Sequence, residues 1–492
     1  MKKKKLVNIA TGLTFLAPNI LGFLAFTLIP LVISFCMAFT DWNLELHNVF
    51  RNEPLKFVGF ENFKELFASP DFYKFLGNTL FFMMGIPLGV AGSLFAAILL
   101  STDFKGGNNK VWVTIIVTFV LTAGCGMLVV VGLGSTAMTL LICGLASSVL
   151  IVGSIGGQTV YRTLFYYPHF TAGVATFLLW KKLYNPETGP INNSLRPILD
   201  ALTPICRTMS SETTNLLAGL FIVVAILICL FRTSGWIKNW KDGYMSTCSL
   251  LIGSLFVSIP LYMLSVWTPF SSERTWLLMP LVLHWVWLLI TLKRGRKFET
   301  NTYDQGLSEA TIFGGVIVVV AFAFIGLSLV VHNLPVMATS ALEAPKWLND
   351  YYWAKPSLMI MGFWAAIGSN NMLLYLAGLS GVPQELYEAA DIDGANWWQR
   401  FWHVTWPQLA PITFFILVMA IIHGLQGGFE MARTMTNGGP FHATTTLSYY
   451  IYTEGFSTGR LGFASAVSWV LFALVFSVTA LNWKFGNRNT NE

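Results

Sequence analysis

The feature that most constrains this chain is a series of long apolar stretches that contain no Lys, Arg, Asp or Glu. Each approaches the roughly 20 residues with which a helix crosses about 30 Å of hydrocarbon. A charge at the bilayer centre costs at least about 2.5 kcal/mol. Charged residues make up only 11% of the chain, against roughly 25% in soluble domains. The sequence predicts an all-α polytopic membrane protein with about 12 transmembrane helices. The twelve predicted spans are 13–38, 76–100, 111–131, 135–157, 163–180, 215–231, 246–267, 275–291, 312–331, 357–379, 411–429 and 462–482.

The orientation of these spans follows from the first one and from the basic loops. The apolar run after Lys2–Lys5 is too long for a signal-peptide core and has no convincing small-x-small cleavage site, so we expect a membrane anchor. With its N-terminus inside, an even number of spans places the C-terminus in the cytoplasm too. The loops 232–241 and 293–297 are then cytoplasmic and basic, in agreement with the positive-inside rule.

One charged stretch, residues 383–411, separates two of the apolar spans. Tyr387–Ala390 favours helix. Gly394 marks a turn, because glycine adopts positive φ without strain. A second, amphipathic helix is predicted from Asn396 to Trp406, and Pro407 is expected to end it. This helix–turn–helix, on the cytoplasmic side, has a shape suited to docking into a partner.

The motif in this stretch resembles that of a known family. It consists of Glu388, Ala389, Ala390, Asp393, Gly394, Ala395, Phe401 and Pro407. The pattern is similar to the coupling loop, or EAA loop, of permease subunits of binding-protein-dependent ABC importers, and its form resembles the sugar branch, the maltose-type permeases. The resemblance implies that the loop seats in a cleft of a cytoplasmic ATPase subunit. Glu388 would make polar contacts there, and Ala389 and Ala390 would allow close helix approach.

The resemblance also implies a set of partners. The chain would translocate a carbohydrate delivered by an extracytoplasmic solute-binding protein. It would pair with a second permease subunit, expected to be a different chain, and with two ATPase subunits in a bacterial or archaeal inner membrane. This chain has no G-x-x-x-x-G-K-[ST] loop, so ATP and Mg would be bound by the ATPase and the chain itself would not be an enzyme. No cofactor and no nucleic-acid partner are expected.

The resemblance is interrupted twice along the chain. It covers residues 1–106, 159–200 and 346–492. These ranges contain six of the predicted spans, and members of the family ordinarily have about six spans in total. The segments 107–158 and 201–345 are predicted to be insertions of two and four spans, respectively. Because both numbers are even, each insertion returns the chain to the side of the membrane that it left.

Polar side chains in the two spans beside the coupling loop are candidates for a solute pathway, because a polar solute needs hydrogen-bonding groups at membrane depth. They are Ser369, Asn370, Asn371, His423 and Gln426. Hydrogen bonding between helices is the alternative role for all five. Trp364 and Tyr375 would offer stacking surfaces for a sugar or, alternatively, belong to a membrane-interface belt.

Other function classes are less compatible with the sequence. Glu388, Asp391 and Asp393 form a carboxylate cluster of the kind found in metal or acid–base sites, but no histidine lies at ligand spacing. The six cysteines include no C-x-x-C pair, so no metal site is predicted. The alternative function is an ATP-independent secondary transporter. Such transporters ordinarily have ionisable groups within their spans and internal repeats, whereas the spans of this chain contain no Lys, Arg, Asp or Glu. A membrane-embedded enzyme would need an activated nucleophile or a carboxylate at membrane depth.

Overall fold

The computed structural model describes residues 2–101, 162, 165–166, 169, 173–267, 274–295, 306–339 and 342–486. Within these ranges the chain is helical and has no β-strand; an isolated bridge joins Thr40 to Phe57. The prediction of an all-α polytopic protein is confirmed. The predicted spans 111–131 and 135–157 lie outside the described residues, as does most of the first half of 163–180.

The helices fall into three groups along the chain, numbered here in chain order. The first group is α1 (Lys2–Phe23), α2 (Ile29–Met37), α3 (Glu61–Ala68), α4 (Pro70–Met83), α5 (Gly85–Ser101) and α6 (Gly173–Leu183). The second is α7 (Pro190–Thr208), α8 (Ser211–Lys241), α9 (Thr247–Val266), α10 (Arg274–Leu277), α11 (Met279–Arg294) and α12 (Gly306–Met337). The third is α13 (Tyr351–Ile367), α14 (Asn370–Ser380), α15 (Gln384–Ile392), α16 (Trp397–Arg400), α17 (Trp406–Gln426), α18 (Phe429–Met431), α19 (Leu447–Tyr452) and α20 (Leu461–Gly486).

Several helices are joined end to end into longer rods. A π-helical turn, Leu24–Leu28, joins α1 to α2, and another, Phe401–Thr405, joins α16 to α17. In the described part of the chain, eight helical stretches are long and apolar enough to cross a membrane. The predicted span 275–291 corresponds to α10 and α11; α11 has 16 residues and is shorter than those eight.

The helix α12 connects two packed cores. On one side it packs with α8 and α9 around buried residues that include Trp236, Leu250 and Leu288. On the other side it contacts α5, and Ile312 joins a core that α5, α14 and α17 share. The segment 201–345, predicted to be an insertion, therefore packs directly against the helices that carry the coupling motif.

Candidate functional site

The first helix of the predicted coupling loop is α15, and it projects from the rest of the chain. None of the nine residues of α15 is buried. The side chains of Glu388 and Ala389 are exposed, and that of Ala390 is partly exposed. The apolar side chain of Ile392 is 87% exposed at the end of this helix. An exposed helix with a mixed polar and apolar surface is suited to binding another protein.

The turn after α15 depends on glycine geometry. Gly394 has φ +72°, the left-handed region that glycine adopts without strain. Its N–H donates to the Asp391 carbonyl at 3.1 Å, and the Ala395 N–H donates to the Ala390 carbonyl at 2.9 Å. The Asp393 N–H still follows the helical pattern and donates to the Ala389 carbonyl at 3.0 Å. The predicted glycine turn is confirmed.

The second helix begins with a reciprocal cap. The Asn396 side chain accepts from the Gln399 N–H, and the Gln399 side chain accepts from the Asn396 N–H, each at 2.9 Å. This capping box satisfies two N–H groups that otherwise lack partners at a helix start. Asn396 is thus the N-cap, and the helix begins at Trp397.

Two side-chain contacts hold the two helices of the loop together. Arg400 Nη1 lies 2.6 Å from Asp391 Oδ1, and the hydroxyls of Tyr387 and Thr405 are 3.0 Å apart. Asp391 is therefore part of an ion pair; among the described residues no cluster of His, Cys, Asp or Glu could hold a metal. This pairing was not predicted, although the sequence carries a signal for it: a basic residue nine positions beyond an acidic one, across a glycine turn.

The prediction that Pro407 ends the second helix is wrong. The stretch Trp397–Gln426 is helical throughout, and Pro407 lies in the first turn of α17. Just before it, the Trp406 N–H donates to the Phe401 carbonyl in the wider π pattern. Proline lacks an N–H and crowds the preceding turn of a regular α-helix, and the π turn takes up this mismatch. The second half of the coupling loop is thus continuous with a membrane-crossing helix.

The three polar residues Ser369, Asn370 and Asn371 lie within the candidate span Tyr351–Ser380, at a break in its helix. α13 ends at Ile367 and α14 begins at Asn370. The Ser369 hydroxyl accepts from the Asn371 N–H at 3.3 Å and so caps α14. The Asn370 side chain accepts from the Tyr166 hydroxyl at 2.7 Å. The sequence pattern did not reveal the break, because the residues around it are apolar on both sides.

A close backbone contact at the break requires glycine at position 368. A Cβ atom added to Gly368 would lie 1.4 Å from the Phe165 carbonyl oxygen. No side chain larger than hydrogen fits this position while that contact is kept. Broken helices at membrane depth occur where the backbone is buried in protein or lines a cavity.

The other two pathway candidates lie at the far end of α17. His423 and Gln426 are exposed, and a Cβ on their neighbour Gly424 would meet Ile86 at 2.7 Å. The Gln426 carbonyl accepts from the Ser448 hydroxyl at 2.6 Å. Gln426 therefore contacts α19 and the neighbouring Gly424 lies against α5, whereas Asn370 at the helix break contacts Tyr166.

The two aromatic candidates differ in their surroundings. Tyr375 is fully buried in the core of α5, α14 and α17 and offers no stacking surface. Trp364 is 40% exposed and packs edge-to-face on Trp180, with ring centroids 5.6 Å apart. Of the two, only Trp364 keeps a face open.

Comparison with known proteins gives a family match and several relatives. Residues 216–483 match the profile of a family described as "Binding-protein-dependent transport system inner membrane component". The chain is 37% identical over 159 residues to the sn-glycerol-3-phosphate transport system permease protein UgpA of Rhizobium meliloti (strain 1021), covering 31% of this chain and 53% of the relative. It is 34% identical over 146 residues to the arabinooligosaccharides transport system permease protein AraP of Bacillus subtilis (strain 168), covering 30% and 46%. The chain thus spans about half the length of the curated relatives it matches.

A solved structure extends the likeness over the whole chain. The chain aligns with a bacterial alginate ABC transporter, solved in complex with an alginate pentasaccharide-bound periplasmic protein, at a TM-score of 0.51. The alignment covers 99% of this chain and 98% of the other, with 16% identity. At that identity the likeness shows the fold.

Proposed function

Because this chain belongs to the family of inner-membrane components of binding-protein-dependent transport systems, we propose that it is the permease subunit of an ATP-driven ABC importer for a carbohydrate. It is a multi-pass inner-membrane protein. The observation that carries the proposal is the exposed helix α15, which ends in a glycine turn and connects through a capped second helix to a membrane-crossing rod. Such an element passes a movement at the cytoplasmic surface to the membrane.

In the proposed mechanism, α15 seats in a cleft of a cytoplasmic ATPase subunit. Glu388 forms the polar contacts, and the small side chains of Ala389 and Ala390 allow close approach. When ATP and Mg bind to the paired ATPase subunits, the two coupling loops move together and the cavity between the permeases turns outward. Hydrolysis returns it to the inward state. The ion pair between Asp391 and Arg400 lets the loop move as one unit.

The solute is proposed to pass between this chain and a second permease subunit of a different sequence. Relatives named for glycerol phosphate, arabinooligosaccharides and alginate support a carbohydrate or related polyol. The break at 368–369 supports a pathway there, with Asn370 and Asn371 offering amide groups. His423 and Gln426, at the C-terminal end of α17, are also proposed to line the pathway. An extracytoplasmic binding protein would deliver the solute, and both termini would lie in the cytoplasm.

The test is co-purification from solubilised membranes of the native host. The wild-type permease is expected to retain an ATPase subunit, identified by mass spectrometry and by vanadate-sensitive ATP hydrolysis. Glu388→Lys should lose it while the membrane level of the permease is unchanged. The matched control is Glu343→Lys, which makes the same charge change at an exposed position beyond the other end of the α13–α14 span.

Two outcomes contradict the proposal. If the wild type retains no ATPase subunit, the importer function is wrong and secondary transport becomes the better hypothesis. If Glu388→Lys and Glu343→Lys retain the ATPase equally well, the coupling role of α15 is wrong.

A further inference from the structure

A buried ion pair lies in the segment 201–345, which the sequence predicts to be an insertion of four spans. Arg232 of α8 contacts Glu309 of α12 through its guanidinium. The Glu309 side chain is 8% exposed and that of Arg232 is 23% exposed. Asn239, two turns further along α8, donates to both Glu309 oxygens at 3.4 and 3.3 Å. The carboxylate therefore has partners on α8 for both of its oxygens, which a buried charge requires.

The same guanidinium faces three aromatic rings, one of which belongs to the coupling loop. Arg232 Cζ lies 5.4 Å from the ring centre of Trp236, 4.9 Å from that of Phe313 and 5.5 Å from that of Trp402. All three distances are within the roughly 6 Å at which a cation is attracted to an aromatic face. Trp236 and Phe313 belong to α8 and α12, whereas Trp402 belongs to the π turn between α16 and α17.

Trp402 is part of a continuous aromatic row on the coupling helix. Trp398, Trp402 and Trp406 are four residues apart and so share one face of the helix. The rings of Trp398 and Trp402 are 5.8 Å apart. Phe313 packs against Trp402 at 5.3 Å and against Trp406 at 5.4 Å. The contact between α12 and this helix therefore extends from the exposed loop into the buried core.

We propose that Arg232, held by Glu309 and Asn239, is a positioning residue that sets the angle of the second coupling helix through Trp402. On this proposal α8 and α12 take part in transmitting movement between the ATPase and the membrane. The inference rests on the proposed function. An ion pair that merely joined α8 to α12 would not need a third helix around its guanidinium.

The experiment is a double-mutant cycle between the ion pair and Trp402. Arg232→Met with Glu309→Gln removes both charges, so that neither is left buried and unpaired. This pair, Trp402→Ala and their combination are compared as full-length permease in nanodiscs. One measurement is the apparent Kd for the ATPase subunit found by co-purification. The other is amide hydrogen exchange of residues 384–402 without the ATPase.

Each change is expected to raise the apparent Kd about fivefold to tenfold, between the values for an exposed and a fully desolvated cation–π contact, because the Arg232 side chain is 23% exposed. Together they should raise it no more than the larger single effect, because groups that act through one contact are not additive. Amide exchange of residues 384–402 should become faster in all three variants. Trp402→Phe should restore most of the affinity, and Lys238→Met, which removes an exposed charge from α8, should have no effect.

Purely additive effects on Kd would overturn the inference, since Arg232 and Trp402 would then act independently. Unchanged Kd and exchange in the variants would also overturn it, and would leave the proposed function intact if the wild type binds the ATPase. A wild type that binds no ATPase subunit contradicts the proposed function itself, and the coupling role of Arg232 with it. Trp402→Phe keeps the test decisive if Trp402→Ala does not fold.

Discussion

Replacing Gly394 by alanine isolates the backbone contribution of the coupling turn. The residue has φ +72°, and no atom lies within 4 Å of the position that a Cβ would occupy. Alanine therefore meets no steric obstacle from its neighbours, and the whole penalty is that of a left-handed L-residue, about 1–2 kcal/mol. The hydrogen bonds of the turn use main-chain atoms and stay available to alanine.

That penalty converts into a change in docking affinity. If the turn must keep this conformation to present α15, a destabilisation of about 1–2 kcal/mol lowers the fraction of competent loops. The apparent Kd for the ATPase subunit then rises by up to roughly 5–30-fold. Gly394→Asn should lie much closer to wild type, because asparagine tolerates the left-handed region better than other residues with a side chain. Gly394→Pro should abolish docking and transport, because proline fixes φ near −65° and removes the N–H that donates to Asp391.

The assay is a titration of the ATPase subunit against permease variants in nanodiscs, with the thermal midpoint of each permease measured in parallel. The expected order of affinity is glycine, asparagine, alanine and then proline, with similar thermal midpoints for the first three. Equal affinities for the glycine and alanine proteins would refute the reasoning, because the turn conformation would then be irrelevant to docking. A weaker asparagine than alanine variant would refute the backbone explanation specifically.

Three further predictions concern contacts elsewhere. Gly368→Ala should sharply lower the thermal midpoint and the membrane yield, both measured in detergent extracts, because its Cβ would overlap the Phe165 carbonyl. Asp391→Asn should change the thermal midpoint little, since its ion pair with Arg400 is largely exposed and such pairs contribute at most about 1 kcal/mol; a large loss of stability would contradict this. Tyr184→Phe should lower the free energy of unfolding by roughly 1 kcal/mol at pH 7, because the hydroxyl donates to a buried α13 carbonyl at 2.8 Å. Burial raises the pKa of Tyr184, so the wild type, but not the phenylalanine variant, should lose additional stability as the pH rises above about 10.

The spans and the coupling turn could be predicted from sequence because both depend on local chemistry. A run without charges identifies a membrane helix wherever it occurs. Gly394 identifies a turn because only its own backbone freedom is involved. The predicted helix end at Pro407 was wrong, because a π turn five residues long accommodates a proline that ordinarily ends a helix. The helix break at Ser369 was not predicted either, because the segment that it contacts lies some 200 positions away in the chain.

The ion pair of Arg232 and Glu309 is the contact that the sequence was least able to predict. Its members are 77 positions apart. The sequence marks the stretch of Arg232 as a basic loop and that of Glu309 as a polar stretch before a predicted span. Their pairing depends on how α8 packs on α12, which is set by buried residues distributed along both helices. No short pattern contains that information. The site residues predicted within 383–411 and the pathway residues remain predictions until the docking and uptake experiments are done.

The uninterrupted helix from Trp397 to Gln426 has a mechanical consequence. Its 30 residues make a lever arm about 45 Å long. A tilt of about 5° about one end would displace the other by about 4 Å. Under the proposed function, a small rotation at the Trp397 end would therefore become a movement of atomic size at the Gln426 end. The displaced end lies at Gly427 and Gly428, the latter with φ +87°, where the regular helix stops.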